Sequence, residues 1–157
     1  MTVKPDQDGA GRATHGEDRF ARCFPAEPYA VREALRAAVA RFARRISPED
    51  AGALELTLAE VLNNVVEHAY GGRADGQVDL ALSHAGGALC CRIEDCGRPM
   101  PHLAIPEGTL PPTGVAVAKL AEGGWGWSLV RGLTEDLAYE RDGNRNRLTF
   151  RIPLDAV

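Results

Sequence analysis

The sequence predicts a two-layer α/β domain: a mostly antiparallel, mixed sheet with helices covering one face. Three observations lead there. Two long segments, 29–46 and 47–70, each place apolar residues at helical spacing along one side. Alternating segments come in pairs joined by Gly86-Gly87 and by Asp142-Gly143-Asn144, turns that mark hairpins. The chain order is β-α-α-β-β-loop-α-β-β, and helices with a single apolar face have one side of such a sheet to cover. The 157 residues suffice for one compact domain with a core, expected over 18–157, and show no internal repeat.

Taken in order, the Gly- and Asp-rich start, MTVKPDQDGAGRATHGED, has no apolar stretch and reads as no signal peptide; a mobile tail is expected over 1–17. RFARCF, from Arg19 to Phe24, alternates as a first strand, and Pro25 ends it. Pro28 suits a first helical turn. The helix over 29–46 carries Val31, Leu35, Ala38, Val39, Phe42 and Ile46 on its apolar side. Arg32, Arg36, Arg41, Arg44 and Arg45 fill the other side, most simply as a solvated face. Ser47-Pro48-Glu49-Asp50 combines an N-cap, a proline at the first helical position and acids in the first turn.

The helix that begins there runs to about Tyr70, and the chain is organised around its second half, LTLAEVLNNVVEHAY. At about 100° per residue, Leu54, Leu58, Val61, Leu62, Val65 and Ala69 share one side. Glu60, Asn63, Asn64 and Glu67 share the other, and Gly71-Gly72 stop the helix. A strand over 77–82, a glycine turn and the return strand ALCCRIE (88–94) follow. From Arg98 to Glu122 periodicity dissolves into Pro, Gly and small residues, with one short helical stretch at 115–120; so long a loop in a small domain is usually a functional lid or disordered. A short helix over 127–133 and strands over 137–141 and 147–153 complete the chain.

Composition narrows the function. Net charge is −4 without a dense Lys/Arg block, which argues against nucleic acid; Lys4 and Lys119 are the only lysines. No apolar run approaches the roughly 20 residues that span a bilayer. Cys23, Cys90, Cys91 and Cys96 match no zinc or Cys-x-x-Cys spacing, so buried free thiols in a reducing cytoplasm are expected.

Three polar or glycine signals sit at element ends. Two adjacent Asn inside a helix each cost roughly 0.5 kcal/mol against Ala, a cost that a site could repay, although on this helix alone a solvated polar face is the simpler reading. Glu60 and Asn64, four apart, stack a carboxylate and an amide oxygen on one face, a pair suited to a hard cation and a proton transfer. Asp95-Cys96-Gly97-Arg98-Pro99 directly follows a strand. A carboxylate there either forms the turn or accepts a hydrogen bond from an amino group such as adenine's, with Gly97 admitting the ring close to the backbone. Gly123-Gly124-Trp125-Gly126 opens a helix, where free N–H groups and the positive helix end suit phosphate; such glycines are also often only caps. There is no P-loop, no Rossmann fingerprint and no Gly-x-Ser-x-Gly. His68, on the flank of the central helix, reads as a structural or rim histidine rather than a general base.

In this order the three signals resemble the N, G1 and G2 boxes of the GHKL ATPases. Glu60-x-x-x-Asn64 stands for the first, Asp95-x-Gly97 for the second and Gly124-x-Gly126 for the third. AEVLNNVVEHAY is similar to the N box of the anti-sigma-factor serine/threonine kinases of bacterial partner switching. The resemblance implies a Bergerat sandwich, ATP and Mg²⁺, and a lid at about 98–122. It implies that Asp95 binds the adenine amino group, and that Gly97, Gly124 and Gly126 pass the backbone close to base and phosphates. Asn64 would hold Mg²⁺, Glu60 would deprotonate the incoming hydroxyl, and Lys119 or Arg98 would meet the γ-phosphate. The implied partners are a STAS-domain anti-anti-sigma-like antagonist and a sigma factor or other regulator, with a homodimer left open. An ATP-loaded switch without catalysis and a detached histidine-kinase-type catalytic domain are the alternatives. The chain departs from the pattern at Pro99, which replaces a glycine, and in the lid, which is poor in glycine. The place of the family's base-supporting Thr or Ser near the last strand falls to either Asn146 or Thr149.

Overall fold

A computed structural model describes residues 18–73, 75–108 and 126–156. In chain order the elements are β1 (Arg19–Pro25), α1 (Pro28–Phe42), α2 (Pro48–Asn64), a π-helical turn (Val65–Ala69), β2 (Gln77–Ala85) and β3 (Ala88–Asp95). A 3₁₀ turn (Pro101–Leu103), α3 (Gly126–Leu133), β4 (Glu135–Asp142) and β5 (Arg145–Pro153) follow. The expected tail, Lys119, Gly124 and the short helix expected at 115–120 lie outside the described residues.

The five strands form one sheet in the order β1-β2-β3-β5-β4, with every neighbouring pair antiparallel. Its register follows from alternation. Val78, Leu80 and Leu82 lie opposite Asp95, Ile93 and Cys91, and these lie opposite Asn146, Leu148 and Phe150. All nine are buried, so one continuous row of inward positions crosses three strands. Burial of this row with the apolar stripes of α1 and α2 is the main force holding the layers together. Turn chemistry fits the expected hairpins: Gly86 and Gly87 both have positive φ, 58° and 71°, as a two-residue primed turn requires.

The helices start as their sequence signals dictate. Ser47 Oγ accepts the Asp50 N–H at 3.0 Å, and Pro48 occupies the first turn of α2. The same first turn is also held by Asp50, whose carboxylate accepts the Asp155 N–H at 3.1 Å beyond β5. Helix α1 ends at Phe42, earlier than the apolar spacing suggests; Ile46 is still buried, reached through a turn before the α2 cap. Arg32, Arg36 and Arg44 are exposed as expected. Arg41 instead donates to the Arg19 carbonyl and Arg45 pairs with Asp18, tying α1 to β1.

The cysteine expectation is half corrected. All four thiols are free, but only Cys91 is buried, and that burial pushes its thiol well above the ordinary range. Cys23 and Cys96 are exposed because one lies on the outward side of an edge strand and the other beyond a strand end. Among the described residues no helix is long and apolar enough to cross a membrane.

Candidate active site

The second half of α2 was the sequence's anchor, and its geometry departs from an ideal helix at one place. Leu54, Leu58, Val61, Leu62, Val65 and Ala69 are buried as their spacing requires. Directly after Asn64 the helix widens into the π turn, with Tyr70 N–H bonded to Val65 O at 3.1 Å. The extra residue shifts the phase, so Val66 and Tyr70 also turn inward. The Tyr70 hydroxyl donates to Gln77 O at 2.7 Å and accepts the Cys96 N–H at 2.8 Å. That one side chain therefore ties the end of the central helix to the start of β2 and to the loop just past Asp95.

A cavity of about 420 Å³ opens beside this junction. Asn64, His68, Asp95, Arg98, Asn146 and Tyr139 supply its polar lining. Val61, Val65, Ile93, Met100, Trp127 and Leu148 supply apolar walls. The size and the few convergent polar groups among apolar walls suit a small-molecule ligand.

At its inner end, Asp95 is 7% exposed and its Oδ1 accepts two hydrogen bonds, from Gly97 N–H at 2.9 Å and Asn146 Nδ2 at 2.8 Å. Among the described residues, Asp95 Oδ2 has no hydrogen-bond partner. Burial raises the Asp95 carboxyl above its ordinary value; Asn146, the Gly97 N–H, Arg141 and Arg145 oppose this without cancelling it. A buried acceptor with one oxygen spare is the arrangement that would take an amino-group donor.

The sheet register sets Asn146 and Thr149 on opposite faces. Asn146 lies directly opposite Asp95 on the inward face, whereas Thr149 lies opposite Arg92 on the outward one. Gly97 has a packing reason beside the one the sequence suggested. A Cβ there would overlap the Ala69 carbonyl and side chain, so the glycine lets the strand end close against the central helix. Arg98 N–H completes that contact with Ala69 O at 2.7 Å.

Glu60 is one turn before Asn64, half-buried, and outside the lining of the cavity proper. Its carboxylate lies against Gly126, where any Cβ would collide with Glu60 Oε2. The first and third sequence signals thus meet at the N-terminus of α3. Burial, with a smaller contribution from Glu67, raises the Glu60 carboxyl above its ordinary value. His68 sits exposed at the rim beside Glu67. Arg131 of α3 donates to Ile105 O and Pro106 O at 3.0 and 3.1 Å, fastening the loop after the 3₁₀ turn onto the helix.

No group of three or more His, Cys, Asp or Glu that could hold a metal ion occurs among the described residues. Magnesium needs no such group when phosphate oxygens and water complete its shell, and the Asn64 amide oxygen fits as a single protein ligand. Sequence reasoning missed Tyr139, Arg141 and Trp127 as site residues. Tyr139 and Arg141 belong to an edge strand with almost no apolar alternation, and nothing in their spacing points at Asp95.

A family model described as a histidine kinase-like ATPase domain matches residues 24–152. The blue-light-activated histidine kinase 2 of Erythrobacter litoralis (strain HTCC2594) is 33% identical over 107 residues, which are 68% of this chain and 28% of that protein. The chain thus spans less than a third of that relative's length. Among solved structures, the RsbU and RsbW domains of a Mycobacterium tuberculosis protein align with a TM-score of 0.61 at 16% identity, over 88% of this chain and 33% of that one. That likeness is one of fold. A second structure, an Erythrobacter litoralis blue-light-activated histidine kinase, gives 29% identity and a TM-score of 0.48 over 83% of this chain and 42% of that one.

Proposed function

The chain belongs to the histidine kinase-like ATPase family, and from that premise we propose that it is a Mg·ATP-dependent protein kinase that phosphorylates a serine or threonine on a STAS-domain antagonist. One observation carries the reading. Asn64 and Asp95 line a single cavity, while Glu60, a helical turn away, faces the start of α3 at Gly126.

Asp95 Oδ2 accepts the adenine amino group, with Gly97 holding the carboxylate through Oδ1. Gly124 and Gly126 bring backbone N–H groups to the phosphates at the positive end of α3. Asn64 supplies one ligand to Mg²⁺, which when bound neutralises phosphate charge. Residues 98–122 serve as the lid, from which Lys119 or Arg98 meets the γ-phosphate. Glu60 orients the acceptor hydroxyl and takes its proton as the new P–O bond forms and the bond to ADP breaks. Its raised pKa brings it nearer the range in which a base works at neutral pH. In this reading the chain, in its nucleotide-loaded form, also sequesters a sigma factor or other regulator.

A second reading rests on the 33% identity to a histidine kinase: the same machinery serves a histidine acceptor on a separate segment. Labelled Mg·ATP, the protein and a candidate STAS partner separate the two. Acid-stable, alkali-labile label on the partner is the expected result; acid-labile label favours the histidine acceptor. Tight binding with no label at saturating Mg·ATP favours a non-catalytic switch. Within this test, Glu60→Ala should leave nucleotide affinity near normal and slow transfer by about a hundredfold or more, whereas Asn64→Ala should weaken Mg·ATP binding. Transfer by Glu60→Ala at the wild-type rate would remove the base assignment.

A further inference from the structure

Two β4 side chains that the proposed chemistry does not use end at the polar cluster behind Asp95. The Tyr139 hydroxyl accepts the Met100 N–H at 3.1 Å and donates to Asn146 Oδ1 at 2.6 Å. Arg141 Nη1 donates to the same Oδ1 at 2.8 Å and to Gly97 O at 2.7 Å. On its other side the Asn146 amide nitrogen donates to Asp95 Oδ1 at 2.8 Å and to the Arg98 carbonyl at 2.9 Å.

The chemistry of these groups allows the amide one orientation. A guanidinium can only donate, and a carboxylate can only accept. Turning the Asn146 amide by 180° would set its NH₂ against Arg141 and its oxygen against Asp95 Oδ1 and the Arg98 carbonyl. The amide is 5% exposed, so water does not relieve such a mismatch. Direction then passes along the chain: Met100 N–H to Tyr139, Tyr139 to Asn146, Asn146 to Asp95. It ends on Asp95 Oδ1 and leaves the carboxylate's other oxygen, Oδ2, unpartnered.

We propose that Tyr139 and Arg141 are positioning residues that lock the Asn146 amide, so that its NH₂ holds Asp95 Oδ1, Oδ2 stays a fixed acceptor, and the site selects a 6-amino purine over a 6-oxo purine. The proposal rests on the reading of Asp95 as the base-binding group. A 6-oxo purine brings an acceptor where the locked site offers only another acceptor. Once the lock is released, the Asn146 amide can turn its oxygen toward Asp95 Oδ1, and the carboxylate no longer holds Oδ2 fixed toward the amino group of the base.

The test is the ratio of ADP to IDP affinity, measured by calorimetric titration on the wild-type protein, Tyr139→Phe, Arg141→Met and the double variant. Tyr139→Phe keeps the ring and loses only the hydroxyl, so it guards against a loss of folding in the others. The wild-type protein is expected to prefer ADP by about a hundredfold. Each single variant should shrink that preference, and the double variant should cut it by about tenfold or more. Equal loss of both affinities, with the ratio unchanged, would mean that the two side chains are merely structural and would overturn the proposal. A wild-type protein that binds neither nucleotide would instead overturn the reading of Asp95, and the lock with it.

Discussion

Asp95 stands where opposing demands meet. Burial raises its carboxyl, and Asn146, Gly97, Arg141 and Arg145 hold that rise back; Tyr70, across the loop, is itself pushed up chiefly by burial. The sign of the consequence differs between the free and the ligand-bound protein. A folded-state value above the unfolded one, about 3.9 for an aspartate, gives stability that is present in acid and lost as pH rises through the folded value. Nucleotide binding runs the other way, because only the ionised carboxylate is an acceptor on both oxygens, Oδ1 for Gly97 and Asn146 and Oδ2 for the proposed amino group. ADP affinity measured across the acidic range should therefore fall as pH drops, with a midpoint above the ordinary aspartate value. A profile that stays flat down to about pH 4 would contradict the buried-acceptor account. The sequence made Asp95 visible through its place after a strand. Between Asn146 and Thr149 the motif reading leaves the choice open, although the parity of Leu148, Phe150 and Ile152 already turns Asn146 inward with them. The packing role of Gly97 was not legible, since the Ala69 carbonyl that fills its missing side chain comes from another element.

At the scale of elements, local signals carried the reading as far as local chemistry reaches. The cap at Ser47, the stripe of α2 and the two-residue turns all appear where short-range rules put them. The π turn after Asn64 does not announce itself, because a 100° periodicity assumes the helix it is meant to detect. Two substitutions separate the framework from the site. Ser47→Ala removes the cap at the far end of α2 and should cost about 1 kcal/mol in denaturant unfolding, with ADP affinity unchanged. Tyr70→Phe removes the hydroxyl that joins Gln77 O to Cys96 N–H, and should cost about 1–3 kcal/mol while also weakening ADP binding, because the loop behind Asp95 loosens. Equal effects of the two variants on affinity would deny Tyr70 that linking role.

Over the whole molecule, the site exists because non-local pairing collects distant segments at one end of the sheet. Asp95 and Asn146 are neighbours through the β3–β5 ladder, and Glu60 meets Gly126 only once α3 packs back across α2. Alternation tells which face a residue takes but not which strand lies beside it. That is why three motifs could be ordered along the chain while Tyr139 and Arg141 stayed invisible. On the outward face, Glu94 shows the same long reach. Burial alone would raise its carboxyl, but Arg147 and Arg145 outweigh that and hold it below its ordinary value, bracing β3 against β5. The central claim is that this collected end is a nucleotide site read by Asp95. Calorimetric titration of Mg·ATP into the wild-type protein and into Asp95→Asn tests it most directly. The account predicts binding by the wild-type protein, and an affinity at least about tenfold weaker for the folded variant, from the loss of a charge-assisted hydrogen bond worth roughly 1.5–3 kcal/mol. Equal affinity for the two folded proteins, or no binding by the wild type, would contradict it.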